Sequence, residues 1–294
     1  MATQSKSQFL TDVHAQLKRR YKPKPDRSAG RLSVLEAVVY GICHEDATRE
    51  QANQALSRFK DQFFDWNEVR VSPIAEVQET LADIPDPQGR AERIRRFLRQ
   101  LFSKTYGFSL EPLTKKPLKE ALKVLHAYEA FSSDYITATV IQQALGGHAI
   151  PIDSATRRVL ERLGISDSDL PSLRSILERA VPKNRGVEFL ELLEELAHDT
   201  CVEPRPDCPR CELRKICAYA LAGKHEANQP DQANQSAANA APTKAAAEAK
   251  KPAKKIAKEA AKERPSAAPA AKKPPAKQPP PPPKSPPGKR GNGK

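Results

Sequence analysis

The chain has 294 residues, 38% of them hydrophobic and 29% charged, with a formal net charge of +13 at pH 7. That charge is concentrated at one end: residues 241–294 carry 15 Lys and Arg against three Glu, a net of +12, which leaves 34 basic and 33 acidic residues in the first 240. A uniformly basic folded body is thereby excluded, and five cysteines behind a polar start, MATQSKSQFL, argue against a disulfide-stapled or membrane-inserted protein and for a cytoplasmic one.

In chain order, the first 225 residues suffice for one compact body and read as helical, with neither a period-two strand nor an internal repeat. Ser33-Val34-Leu35-Glu36 has the form of a capping box and opens an apolar helix through Val38, Val39 and Ile42. Cys43 ends that run and reads as a buried small hydrophobe, with His44 and Glu45 as helix-end or pocket residues. Phe63, Phe64 and Trp66 read as core rather than as stacking platforms for bases. Between Arg90 and Phe102, Ile94, Phe97, Leu98, Leu101 and Phe102 share one helical face, largely opposite Arg93, Arg95, Arg96 and Arg99. Pro117 opens a helix carrying Leu118, Ala121, Leu122 and Leu125, at a position where its missing amide hydrogen costs nothing. Asp153 directly precedes a helix from Ser154 that Gly164 closes, so an N-cap role alone accounts for a carboxylate there. Val187 to Ala197 supplies a buried stripe of Phe189, Leu190, Leu193 and Leu196.

Immediately after that stripe stand Cys201, Cys208, Cys211 and Cys217, in the order C-x6-C-x2-C-x5-C. A cluster so tight is built to hold a metal centre, and the spacing alone leaves tetrahedral zinc and an iron-sulfur cluster both open. A zinc ribbon usually brings two C-x2-C knuckles, whereas only one is present here. His198 lies three residues upstream of Cys201, but four thiolates already complete a ligand set.

This cysteine pattern, downstream of Pro151-Ile152-Asp153, resembles the endonuclease III family of helix-hairpin-helix DNA glycosylases over roughly residues 15–222. The resemblance implies an all-α, two-lobed fold for residues 1–225, with a helical barrel-like lobe over 30–147 and an iron-sulfur lobe from 1–29 and 148–225. It further implies a 4Fe-4S cluster on the four cysteines, double-stranded DNA as partner, and a monomer. Ile152-Asp153-Ser154-Ala155 matches the family's Val-Asp-Thr-His segment, whose aspartate faces the base pocket. A carboxylate there stabilises the oxocarbenium-like sugar formed as a glycosidic bond breaks.

Several positions depart from the family. Counting back by the family's interval of 18 from Asp153 lands on Tyr135, where the family carries the lysine that forms a Schiff base with the sugar, and a tyrosine cannot do that chemistry. The nearby Lys115, Lys116, Lys119 and Lys123 read as solvated charges. In the same register Phe131 and Ser133 replace the hairpin glycines, leaving the hydroxyls of Ser132 and Ser133 as donors to a phosphate between the acidic Glu129 and Asp134. The downstream Gly146-Gly147-His148 keeps a family-like glycine turn. Where the family has Ser-Ala-Gln-x-Thr, with its glutamine filling the space of a flipped base, the chain reads His44-Glu45-Asp46-Ala47-Thr48, and Asp46 makes a poor plug. The usually basic loop after the first cysteine holds Glu203, Arg205 and Asp207, with Arg210, Arg214 and Lys215 in partial compensation.

Two functions follow from these features. One is a monofunctional DNA glycosylase of base excision repair, with Asp153 catalytic and water as nucleophile. The other is a non-catalytic 4Fe-4S helix-hairpin-helix protein that only binds DNA. Residues 226–294, rich in Lys, Ala and Pro, read as disordered, either a solubilising linker or a polycation that engages phosphates by releasing counterions. Removing residues 241–294 is expected to weaken DNA binding uniformly across sequences and to flatten its dependence on salt. Binding titrated against salt concentration for the full and shortened chains checks this, and equal slopes contradict it.

Overall fold

A computed structural model describes residues 5–22 and 32–223. The basic tail 226–294 and the expected lobe boundary at residues 29 and 30 lie outside them. Among the described residues all regular structure is helical, as expected: α1 (Lys6–Tyr21), α2 (Val34–His44), α3 (Arg49–Gln62), α4 (Trp66–Val71), α5 (Ile74–Thr80), α6 (Pro87–Thr105), α7 (Leu118–Leu125), α8 (Asp134–Gln143), α9 (Ser154–Leu163), α10 (Leu170–Ala180), α11 (Gly186–Asp199) and α12 (Ala218–Leu221), with short 3-10 turns between some of them. None of these helices is long and apolar enough to cross a membrane.

Helix starts follow from local chemistry. Ser33 Oγ accepts from Glu36 N at 3.2 Å while Glu36 Oε2 accepts from Ser33 N at 2.9 Å, the reciprocal bonds of a capping box. Thr48 and Gln51 repeat the device at α3. Asp86, at φ 52°, caps α6 through Gly89 N, and Pro87 occupies the first turn. Gly164 closes α9 at φ 88°, a conformation that a side chain would disfavour.

Two hydrophobic cores form. The first gathers Val38, Ile42, Phe59, Ile94, Phe97 and Ile136 around α2, which is buried along almost its whole length and packs against α3, α6 and α8. In the second, Leu10 and Leu17 of α1 meet Val159, Leu177, Phe189 and Leu193 of α9, α10 and α11. The chain passes from one to the other at the Gly146-Gly147 turn. Gly146 lies at φ 65°, and a Cβ on Gly147 would come within 2.4 Å of the Ile141 side chain. Gln142 Nε2 then donates to Ala149 O at 2.9 Å, fixing the start of the segment that leads to Asp153.

Cys43 is fully buried, and burial pushes its thiol up to about 12. Phe64 differs from expectation: it is 95% exposed, because residues 63–65 form the break between α3 and α4 rather than a helical face. Phe63 and Trp66 do pack on the first core, where the Trp66 ring lies 6.0 Å from that of Phe59.

Arg90, only 6% exposed, ties α6 to the end of α2. Its Nε donates to Pro85 O at 2.6 Å, and its two Nη atoms donate to Ile42 O and Glu45 O. Burial holds the guanidinium below the ordinary arginine range, although the backbone carbonyls satisfy its donors. Arg90→Met leaves those carbonyls without their partner, and a loss of about 2–3 kcal/mol is expected in denaturant unfolding. A change under about 0.5 kcal/mol contradicts this role for the residue.

Candidate functional site

The extended residues Ile150-Pro151-Ile152 bring Asp153 to the N-terminus of α9, with Ile150 and Ile152 anchored in the second core. Asp153 Oδ1 accepts from Thr156 N at 2.7 Å, so the carboxylate caps the helix as the sequence implies. The residue is only 7% exposed. Burial pushes its carboxyl above the ordinary range; the bonds from Thr156 offset part of that, and the negative charges of Glu194 and Asp46 add to it. Asp46 reaches the same helix end from the first core. At φ 55° it stands exposed, and its Oδ1 accepts from Ser154 N at 2.9 Å and from the Ser154 hydroxyl. Asp46 is thus tethered to α9 and bridges the two cores.

Tyr135, near the start of α8, is 3% exposed and places its hydroxyl 2.9 Å from His44 Nδ1. His44 ends α2, is equally buried, and lies against the Tyr40 ring with centroids 5.1 Å apart. On its other side His44 Nε2 stands 3.5 Å from Glu194 Oε1 of α11, an ion-pair separation without an aligned hydrogen bond. Arg49, at the start of α3, completes the series: Nη2 lies 3.6 Å from Glu194 Oε2, and Nη1 pairs with Glu191. Burial alone would raise Glu194, but His44 foremost, then Arg49, bring its carboxyl below the ordinary range. Tyr135 is held well above the ordinary phenol range by burial, then by the charges of Glu194 and Asp153. The structure places Tyr135 and Asp153 within reach of each other's charge. It adds Glu194 and Arg49, which the sequence reading missed. Glu194 follows Leu193 in a helix read for its apolar stripe, and the only sign of a buried acid was its position beside that stripe.

The hairpin positions separate. Between α7 and α8 the chain makes a 3-10 turn over Glu129–Ser132, and Phe131 is 4% exposed within the first core. Ser133 Oγ accepts from Ile136 N at 3.3 Å as the cap of α8 and donates to Glu45 Oε1 at 2.6 Å, so its hydroxyl is engaged. Glu45 is held in turn by Arg93 at 2.8 Å. Ser132 is the exposed hydroxyl of the pair. Glu129 faces Arg96 as an ion pair.

The four cysteines pack against α9 and the end of α11. Cys201 N donates to Leu196 O at 2.8 Å, and fully buried Leu213 pins the loop to the second core. Arg162 of α9 donates through Nη1 to Cys201 O and Val202 O, each at 3.0 Å, and to Cys201 Sγ at 3.3 Å. The thiol of Cys217 donates to Arg162 O at 3.2 Å. Burial first, then the charges of the other three cysteines, push Cys208 up to about 11, so the four sulfurs lie within electrostatic reach of one another. No three His, Cys, Asp or Glu side chains among the described residues are arranged as a cage for a single metal ion. His198 is exposed. Around the loop Arg20 pairs with Asp199 at 2.7 Å, and Arg210 with Asp207 at 3.2 Å.

No family model matches the sequence, and neither does any curated protein. Solved structures do share the fold. A trapped endonuclease III-DNA covalent intermediate matches at a TM-score of 0.57 and 16% identity, over 75% of this chain and 100% of that one. A non-covalent endonuclease III-DNA complex matches at 0.58 and 16%, over 75% and 99%. A thermostable thymine-DNA glycosylase matches at 0.52 and 19%, over 73% and 95%. The chain has the helix-hairpin-helix DNA glycosylase fold.

The raised Asp153 carboxyl has a cost that can be measured. A carboxyl that is harder to ionise in the folded state adds stability below its unfolded value and loses it as pH rises through the folded value, so ionised Asp153 destabilises the protein at neutral pH. Asp153→Asn keeps the cap and removes the charge. The variant is expected to melt higher than the wild type at pH 7, with the difference closing as pH falls below the ordinary carboxylate range; an equal or lower melting temperature at pH 7 contradicts this.

Proposed function

We propose that the protein is a DNA N-glycosylase of base excision repair, hydrolysing the bond between a damaged or mismatched base and its sugar with water as the nucleophile. The observation that carries this reading is the corner itself: a buried carboxylate at a helix N-terminus, beside a phenol where a lysine would be needed for lyase chemistry. As the glycosidic bond lengthens, positive charge grows on the sugar, and Asp153 in its low-dielectric setting stabilises that charge more strongly than water does. Tyr135 cannot form a Schiff base, so the product is an intact abasic site. The names of the structural neighbours, endonuclease III bound to DNA and a thymine-DNA glycosylase, support double-stranded DNA as the partner. We further take the protein to act as a monomer.

Cys201, Cys208, Cys211 and Cys217 would hold a 4Fe-4S cluster. The fit rests on four thiols within electrostatic reach of one another and on Arg162 donating to Cys201 Sγ. When bound, the cluster ties together a loop that has little apolar core beyond Leu213. One observation favours a second reading, DNA binding without catalysis: Asp153, Tyr135 and His44 are each 7% exposed or less, so the corner must open to admit a flipped base.

A panel of single-lesion duplexes, assayed with and without alkali, separates the two. The glycosylase reading expects strand breaks only after alkali, no protein-DNA adduct trapped by borohydride, and loss of excision with retained binding in Asp153→Asn. A trapped adduct in the wild type makes an amine the nucleophile. Binding without excision of any lesion leaves the non-catalytic reading as the better account.

A further inference from the structure

The arginines of α6 divide by what they touch. Arg90 donates to backbone carbonyls, Arg93 faces Glu45, and Arg96 faces Glu129. Arg95 and Arg99 differ: among the described residues no carboxylate pairs with either, and Arg95 Nε is buried without a hydrogen-bond partner. Glu92, one turn before Arg95, accepts instead from Gln88 at 3.1 Å. Burial first, then the charge of Arg99, holds the Arg95 guanidinium below the ordinary arginine range. Adjacent cations on one helix face repel, and an anion between them relieves the repulsion and supplies the missing acceptor. Residues two positions apart point about 200° apart around a helix, so Arg95 lies on the side of α6 away from Arg93, Glu45 and the end of α2.

The same side of α6 carries aromatic rings beyond the arginines. Arg95, Arg99, Phe102 and Tyr106 follow one another at steps of four, three and four, which keeps them in one stripe that runs to the end of the helix. Tyr106, the C-cap residue, is 84% exposed and stands edge-on to Phe102 with centroids 6.2 Å apart. Phe108 stacks on Phe102 at 5.6 Å and braces it. From α4, the Arg70 guanidinium lies 4.3 Å from the centre of the Phe102 ring, and its donors go to the neutral Asn67. A third arginine without a carboxylate thus borders the stripe.

We propose that Arg95, Arg99, Arg70 and Tyr106 form a docking surface for single-stranded DNA, separate from the site around Asp153. The arginines take backbone phosphates, and Tyr106, supported by Phe102, stacks on a base. A duplex presents phosphates but keeps its bases stacked on one another, whereas an unpaired strand presents both phosphates and open base faces. The surface stands without the glycosylase reading, and only the choice of DNA over RNA rests on the partner proposed above.

The test titrates the full chain with fluorescent oligothymidylate, and with a duplex of the same length, over a range of salt concentrations. The basic tail is common to every variant, so a difference from the wild type belongs to this surface. The double variant Arg95→Gln, Arg99→Gln is expected to lower the salt slope on the single strand by about 1.4, because each phosphate contact there contributes about 0.7. Tyr106→Ala is expected to weaken single-strand binding about tenfold at an unchanged slope and to leave duplex binding as it is. Thermal melting checks folding; if the double variant does not fold, the exposed Arg99→Gln alone is expected to lower the slope by about 0.7. An unchanged slope in the arginine variants, or wild-type single-strand binding by Tyr106→Ala, overturns the surface. Equal losses on the duplex overturn the single-strand assignment, and tighter binding of oligouridylate overturns the choice of DNA. Losses confined to anionic lipid vesicles overturn the proposal in favour of a membrane.

Discussion

A carboxylate buried where two apolar cores meet must be neutralised in place, and the pairing of Glu194 with His44 and Arg49 does so. Removing one partner of such a pair typically costs about 3–5 kcal/mol, because the other charge is left without compensation. The three residues come from α11, α2 and α3, so the polar contact also fixes how the helices of one core sit against those of the other. Everything placed at that boundary inherits its geometry. His44 holds the Tyr135 hydroxyl, and Asp46 reaches the head of α9 because α2 ends where it does.

The boundary concentrates features that cost stability. Asp153 is harder to ionise than an ordinary carboxyl, and Asp46 adopts a left-handed backbone without being glycine. The Nε2 atom of His44 lacks an aligned hydrogen bond. Elsewhere the helix ends are capped by their own sequence.

What could be read from the sequence was whatever depends on near neighbours. The capping box at Ser33, the proline at 117, the N-cap at Asp153, the closing Gly164 and the glycine turn at 146–147 all act within a few residues, and each stands as expected. Contacts across long separations were not legible. His44 and Glu194 lie 150 residues apart, and neither sits in a pattern that betrays a partner. Phe64 escapes the helical spacing because a break separates α3 from α4, and the Ser133 hydroxyl goes to Glu45, 88 residues away in sequence.

On the glycosylase reading, a base turned out of the duplex is received between Asp153 and Tyr135. A crystal structure of the Asp153→Asn variant bound to a single-lesion duplex tests it most directly. The account predicts the lesion base extruded against Tyr135, with the sugar C1′ facing the side chain at position 153. A duplex bound with the lesion still stacked, or a base lodged away from Tyr135, contradicts it.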